Sequence, residues 1–206
     1  MFSYQPFLPE TIFQLDLCNL DSFSENFTTD YYLKYMLRNP GLFLCATSCI
    51  DSYYEKTTNN LISMENRICG YILGYNTTKM LCIKRHSFPF NRKFPFIGNG
   101  KKYKKFSGVQ IFALSVSFYN RRMGVGNGLV YLLKDNIPCD FLKLFVRTSN
   151  VNAIKFYRKI GFIERRTILG YYSSPVENAY ELVKPNNFTI ERDDDILYNN
   201  ISDEEN

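Results

Sequence analysis

The residues best suited to bind and transform a ligand lie in one run, Arg121-Arg122-Met123-Gly124-Val125-Gly126. It stands between a strand-like segment and a helical one. Glycines at 124 and 126 let the backbone approach a ligand closely. Free N–H groups at a helix start favour an anion such as pyrophosphate. Two arginines add positive charge. The plainer reading of the same residues is a tight turn in which glycine is a steric necessity. Any imidazole chemistry would fall to His86, the single His. One His and no Cys-x-x-Cys pair leave little for a protein zinc site, so no metal is expected.

These residues need a scaffold, and the chain has enough material for one. Its 206 residues suit one compact domain, with 45 % apolar residues for a core. Residues 2–7 suit a short strand. Pro9-Glu10-Thr11 opens a helix through Asn19, since Pro in a first turn costs no hydrogen bond. Thr28 or Thr29 caps a second helix over 30–39, ended by Pro40. Strands are expected at Leu42–Cys49 and Arg67–Tyr75, with a polar loop at 50–66 between them. Gly108–Phe118 is a long strand, and 121–126 is a turn opening a helix to about Asn136. Phe141–Arg147 is a strand, and Asn150–Ile160 a helix ended by Gly161. Phe162–Leu169 and Ala179–Val183 complete an α/β order with parallel pairing in the middle.

Charge is uneven. The net charge is +5, yet nine basic residues and no acid lie between Lys79 and Lys105, and seven acids against one arginine lie in 191–206. A near-neutral body therefore carries a basic insertion, about 77–106, and an acidic, flexible tail, 185–206. The insertion, with Pro89, Pro95, Gly98 and Gly100, reads as a long loop, a kind of segment that is uncommon inside a domain unless functional or disordered. The N-terminus lacks a secretory pattern, and no run approaches a membrane span. The six cysteines are irregularly spaced and read as reduced, mostly buried thiols. A cytoplasmic protein without membrane contact is expected.

Two segments carry a family resemblance. FALSVSFYNRRMGVGNGLVYLL resembles motif A of the GCN5-related N-acetyltransferases (GNAT), whose pattern is Arg/Gln-x-x-Gly-x-Gly/Ala. NVNAIKFYRKIGF at 150–162 resembles motif B, through Asn150, Ala153, Tyr157, Gly161 and Phe162. LDSFSENF with YYLKYMLRNP, then FVRTSN, then GYYSS with NAYEL, is similar to the catalytic subunits of the N-terminal acetyltransferase B complex, NatB. The resemblance covers most of residues 4–184, read as a single domain 1–184. It implies the GNAT acyltransferase fold, a mixed sheet of about seven strands flanked by about four helices. It also implies acetyl-CoA as donor. The acceptors would be protein N-termini beginning with Met followed by Asp, Glu, Asn or Gln. The partner would be a large helical-repeat auxiliary subunit at the ribosome.

The resemblance also assigns roles. Leu114, Ser115 and Val116 would hydrogen-bond pantetheine through their backbone. Arg121, Arg122, Met123, Gly124, Val125 and Gly126 would cradle the pyrophosphate. Asn150 would bond the pantetheine arm, and Tyr157 would protonate or hydrogen-bond the leaving thiolate. A phenol titrates at about 10 and a thiol at about 8.5, so that transfer costs little. Glu25, Phe27, Gln110, Phe112, Tyr171 and Tyr172 would line the peptide groove. Several positions depart from the family. Phe145 stands where some N-terminal acetyltransferases have a His base, and Gln110 where NatB has a His facing the substrate's second residue. Phe112 replaces a Thr and Phe27 a Tyr. A free α-amino group titrates at about 7.7–8.0, so about a tenth or more is neutral at pH 7 and no strong base is required.

Two other readings stay open. One is a GNAT enzyme with a different N-terminal or lysine acceptor. The other is a non-catalytic module that grips RNA or the ribosome through residues 79–105, where Lys and Arg interleave with Phe.

Overall fold

The computed structural model describes residues 2–15, 18–19, 27–39, 41–48, 67–83 and 102–186. Seven strands form one sheet: β1 (Phe2–Pro6), β2 (Phe43–Ser48), β3 (Arg67–Ile83), β4 (Lys102–Val116), β5 (Phe141–Arg147), β6 (Ile163–Ser173) and β7 (Val176–Pro185). Their spatial order is β1-β2-β3-β4-β5-β7-β6. Among the described residues only β4 and β5 pair in parallel. A parallel pair needs a crossover, and the helix α2 (Val125–Asn136) supplies it. The other helices are α1 (Thr29–Arg38), before β2, and α3 (Val151–Lys159), between β5 and β6.

Two expectations change. The helix expected over 9–19 does not begin as an α-helix. Pro9–Gln14 is a 3-10 turn, in which the Thr11 N–H donates to the Leu8 carbonyl at 2.9 Å. The buried Thr11 hydroxyl accepts from the Leu8 N–H at 3.1 Å, a local bond that competes with helix continuation. With a second 3-10 turn at Phe118–Asn120, the described residues hold three α-helices rather than about four. The second change concerns the basic insertion. β3 runs on to Ile83 and β4 starts at Lys102, with Lys79 opposite Phe106 and Ile83 opposite Lys102. β-branched Thr77, Thr78 and Ile83 suit a strand, and the surrounding charge hid that preference. The loop at 50–66, residues 84–101 with His86, and the tail from 187 lie outside the described residues.

The sheet has two working faces. α2 packs on one: a Cβ at Gly70 would stand 3.0 Å from the Val125 Cγ1. The other face receives the 3-10 turn, residues 18–19 and α1. There the Ser115 hydroxyl donates to the Cys18 carbonyl, and the Tyr71 hydroxyl to the Asn19 Oδ1 at 2.6 Å. Leu42, Ile72, Leu73, Leu129, Leu133, Leu142 and Leu182 are fully buried, each stabilising the fold by roughly 1.5–3 kcal/mol relative to exposure. Cys18, Cys45 and Cys69 are buried free thiols, as expected. Burial pushes Cys18 up to about 12 and Cys69 up to about 11.

Candidate active site

The site begins with a fault in the ladder. Leu73 faces Ala113 and Gly74 faces Ile111, so Phe112 is an extra residue on β4. Such a bulge bends its strand and sharpens the twist. β4 and β5 accordingly pair only from Gly108–Phe141 to Ile111–Leu144. Beyond that point Ala113–Val116 stay with β3, and Phe145–Arg147 stay with β7. A cleft of about 1100 Å³ opens in the gap, running from the 121–126 turn to Phe112, Phe145 and Tyr172. Leu114, Ser115 and Val116 lie along it, on a strand edge without a β5 partner. The Val116 carbonyl, however, already accepts from the Arg121 Nε at 3.1 Å.

On the α2 side the cleft suits an anion. Gly124 is the N-cap of α2 at φ 91°, a left-handed conformation that a Cβ would strain, and no side chain caps the helix. The first α2 N–H groups therefore have no helical acceptor. Gly126 acts for a different reason than the turn alone suggested. A Cβ there would meet the Phe156 Cζ at 3.3 Å, so it sets how closely α3 approaches α2. Arg121 and Arg122 line the cleft, while Met123 is exposed and is not among its lining residues. Sequence reasoning missed Lys155 and Lys159, which also line it; their spacing of four on α3 was the available signal. No Asp, Glu or His is among the described lining residues.

Tyr157 is fixed by the end of its own helix. Gly161, at φ 95°, donates its N–H to the Arg158 carbonyl at 3.1 Å, and the Phe162 N–H reaches the Tyr157 carbonyl at 3.0 Å. This is a Schellman stop, and its usual apolar contact is Phe162 against the Tyr157 ring, 5.3 Å between centroids. Gly161 and Phe162 thus serve the site by holding Tyr157. Burial, and then the nearby Tyr172 hydroxyl, push the Tyr157 phenol well above its ordinary value. It stays protonated and can donate. Asn150 is the α3 N-cap: its Oδ1 accepts from the Ala153 N–H at 3.1 Å, which fixes the side chain at the start of the helix.

The opposite side is aromatic. Phe27, just before α1, and Tyr31 and Tyr35 on it form an aromatic row; Phe27 stacks on Tyr31 at 4.5 Å. All three lie within 6 Å of the Phe112 ring. Facing them is the β6–β7 hairpin, where Tyr171 stacks on Phe145 at 4.6 Å. Burial, and then the Tyr35 hydroxyl, push the Tyr31 phenol up. Tyr172 donates to the Phe145 carbonyl at 3.3 Å.

Arg147, which sequence reasoning missed, ties this hairpin down. Its guanidinium lies 3.9 Å from the Tyr172 ring centroid and donates to the Ser174 and Pro175 carbonyls, each at 3.2 Å. It also meets Glu177 at 3.4 Å. Glu177 in turn accepts from the Ser149 N–H at 2.7 Å and the Thr148 hydroxyl at 3.1 Å. Gln110 is buried on the same face as Tyr75 and Lys143, its register partners. It does not line the cleft itself. Glu25 lies outside the described residues.

A seven-stranded mixed sheet with splayed central strands and this motif pair defines a GNAT acetyltransferase. No family model matches the chain. The catalytic subunit of the N-terminal acetyltransferase B complex from Arabidopsis thaliana is 30 % identical over 159 residues, 75 % of this chain and 69 % of that protein. Its counterpart from Saccharomyces cerevisiae is 28 % identical over 185 residues, covering 87 % and 77 %. The crystal structure of Chaetomium thermophilum Naa20 with a bisubstrate analogue aligns at a TM-score of 0.63, with 28 % identity, over 89 % of this chain and 86 % of that one. The chain belongs to the family of NatB catalytic subunits and is an N-terminal acetyltransferase.

Proposed function

We propose that the chain acetylates the free α-amino group of protein N-termini of the Met-Asp, Met-Glu, Met-Asn and Met-Gln type, as the catalytic subunit of a NatB-like complex. One observation carries this reading. A single gap between β4 and β5 is entered from two faces, a cationic one beside α2 and an aromatic one beside α1. A nucleotide-bearing donor fits the first and an apolar Met side chain the second.

Acetyl-CoA supplies the activated acetyl group as a thioester. The first α2 N–H groups, with Arg121, Arg122, Lys155 and Lys159, would bind its phosphates. The unpaired β4 edge at 112–116 would orient the pantetheine as an added strand. Tyr157 keeps its proton at Oη, because burial raises the phenol well above a thiol, and donates a hydrogen bond from it to the departing sulfur. The incoming amine reaches the gap already partly neutral, and its proton leaves to water. Tyr171 and Tyr172 close over the peptide, and Arg147 sets their position.

The cytosol and the ribosome are the expected setting, with the basic residues at 79–105 against ribosomal RNA. Among the described residues no helix is long and apolar enough to cross a membrane. Phe13 and Leu37 are 76 % and 82 % exposed, on the 3-10 turn and the helix that pack together. They suit cover by an auxiliary subunit. Peptides beginning Met-Asp, Met-Glu, Met-Leu and Ser-Glu, assayed with acetyl-CoA, test the reading. Turnover confined to the first two supports it, and turnover confined to the last two defeats it.

A further inference from the structure

The outer rim of the donor side carries a pair of charges that its own helix does not explain. Lys155 and Lys159 are exposed, line the cleft and stand four apart on α3, so their side chains lie side by side. Like charges at this spacing repel and weaken a helix. The positions three and four away from either lysine hold no acid. Arg158, between them in sequence, does not line the cleft and meets Glu164 at 2.8 Å. Nor is the pair needed at the negative end of the α3 dipole, where the Lys184 Nζ donates to the Ile160 carbonyl at 2.7 Å. Phe156, next to Lys155, sets the pair beside the start of α2: a Cβ at Gly126 would stand 3.3 Å from its Cζ. Asn152, three residues before Lys155, continues the same rim.

CoA has two anionic parts, a diphosphate and, across its ribose, a 3′-phosphate monoester. A phosphate monoester carries about −1.5 to −2 charges at neutral pH, enough to answer two ammonium groups. The diphosphate is already answered, in the proposed donor binding, by the first α2 N–H groups with Arg121 and Arg122. We propose that Lys155 and Lys159 form a separate site for the 3′-phosphate, which makes this enzyme distinguish CoA donors from their 3′-dephospho forms. The inference deepens the reading that acetyl-CoA enters beside α2, and rests on it. Each ammonium is a point charge on a flexible stem, so the pair can close on a phosphate at the rim without a rigid frame. The bound dianion also cancels the repulsion between the two lysines.

The test titrates the full chain with CoA and with 3′-dephospho-CoA by calorimetry. The parent should bind CoA about tenfold more tightly. Lys155→Met with Lys159→Met should weaken CoA about tenfold and leave 3′-dephospho-CoA within about twofold, so that the two ligands become nearly equal. Lys155→Arg with Lys159→Arg should keep the preference. Arg158→Met, which removes a cation from the same helix, should change neither affinity by more than about twofold. Added salt should shrink the preference in the parent and have little to act on once both lysines are Met. A parent that binds the two ligands equally overturns the proposal. So does an equal loss on both ligands when the lysines are replaced by Met, which would assign them to the diphosphate or to the fold. A parent that binds neither ligand overturns the donor reading itself, and this inference with it.

Discussion

The two sides of the β4–β5 gap are built by different means. The donor side is assembled from consecutive residues. The turn at 121–126 and the start of α2 form one piece, and α3 adds Asn150, Tyr157 and its Gly161-Phe162 stop within thirteen residues. The acceptor side is gathered from Phe27, Tyr31, Tyr35, Tyr75, Phe112, Phe145 and the Tyr171–Tyr172 pair, on five separate elements. In the proposed reading, backbone N–H groups and helix ends would hold the acetyl-CoA donor, and side chains brought together by tertiary packing would hold the acceptor. A defect on one side should therefore leave the other side's affinity intact.

The largest separation is expected at Tyr157. Tyr157→Phe removes the proton donor and should lower kcat about 100-fold while acetyl-CoA affinity, read by calorimetry, changes little. The parent's kcat/KM should rise with pH around the acceptor amine's value of about 7.7–8.0 and hold beyond it. The raised Tyr157 value keeps the phenol protonated past the point where an ordinary tyrosine ionises. A rate that falls with a midpoint at an ordinary phenol value would contradict this role.

A smaller effect, about tenfold, is expected from Arg147→Met. Freeing the hairpin should raise the peptide KM and leave acetyl-CoA binding within about twofold. Equal damage to both affinities would show that the two sides are not separable here. Phe112→Thr restores a small residue at the bulge and removes a ring that contacts Phe27, Tyr31, Tyr35, Phe43 and Tyr75. It should destabilise the fold by about 2–4 kcal/mol, read as a lower Tm, with the peptide KM raised more than the donor's.

Glu177 gives the smallest and most pH-dependent effect. Hydrogen bonds, first from the Ser149 N–H, hold its carboxyl below the usual 4.5. A lowered folded value means that the stabilisation is present above the unfolded value and lost as pH falls through the folded one. Glu177→Gln should therefore lower Tm at neutral pH, and the gap from the parent should close as the solution is acidified below 4.5. A gap that is constant with pH would exclude the carboxylate's charge as its source.

The same contrast explains what could be read from the chain. The succession of strands and helices from β4 onward, α2, α3 and the glycine turn were legible because local spacing determines them. Tyr157 was legible through its motif, although only the structure shows that Gly161 and Phe162 act by pinning it. Arg147 was not legible: an arginine ending a strand gives no sign that it will cap a hairpin about thirty residues later. Lys155 and Lys159 were legible in principle, at a spacing of four, but charged helix positions usually face solvent. The extension of β3 and β4 was hidden because lysines between strand-forming residues resemble a solvated loop. The bulge at Phe112 had no sequence signal, since it is defined only by the partner strand.

The most direct measurement is mass spectrometry on one peptide that begins Met-Glu and carries an internal lysine, incubated with the full chain and acetyl-CoA. Acetylation should appear on the α-amino group alone, with the lysine unmodified. An acetyl group on the lysine side chain, with the N-terminus free, would contradict the assignment of the aromatic side of the gap to a protein N-terminus.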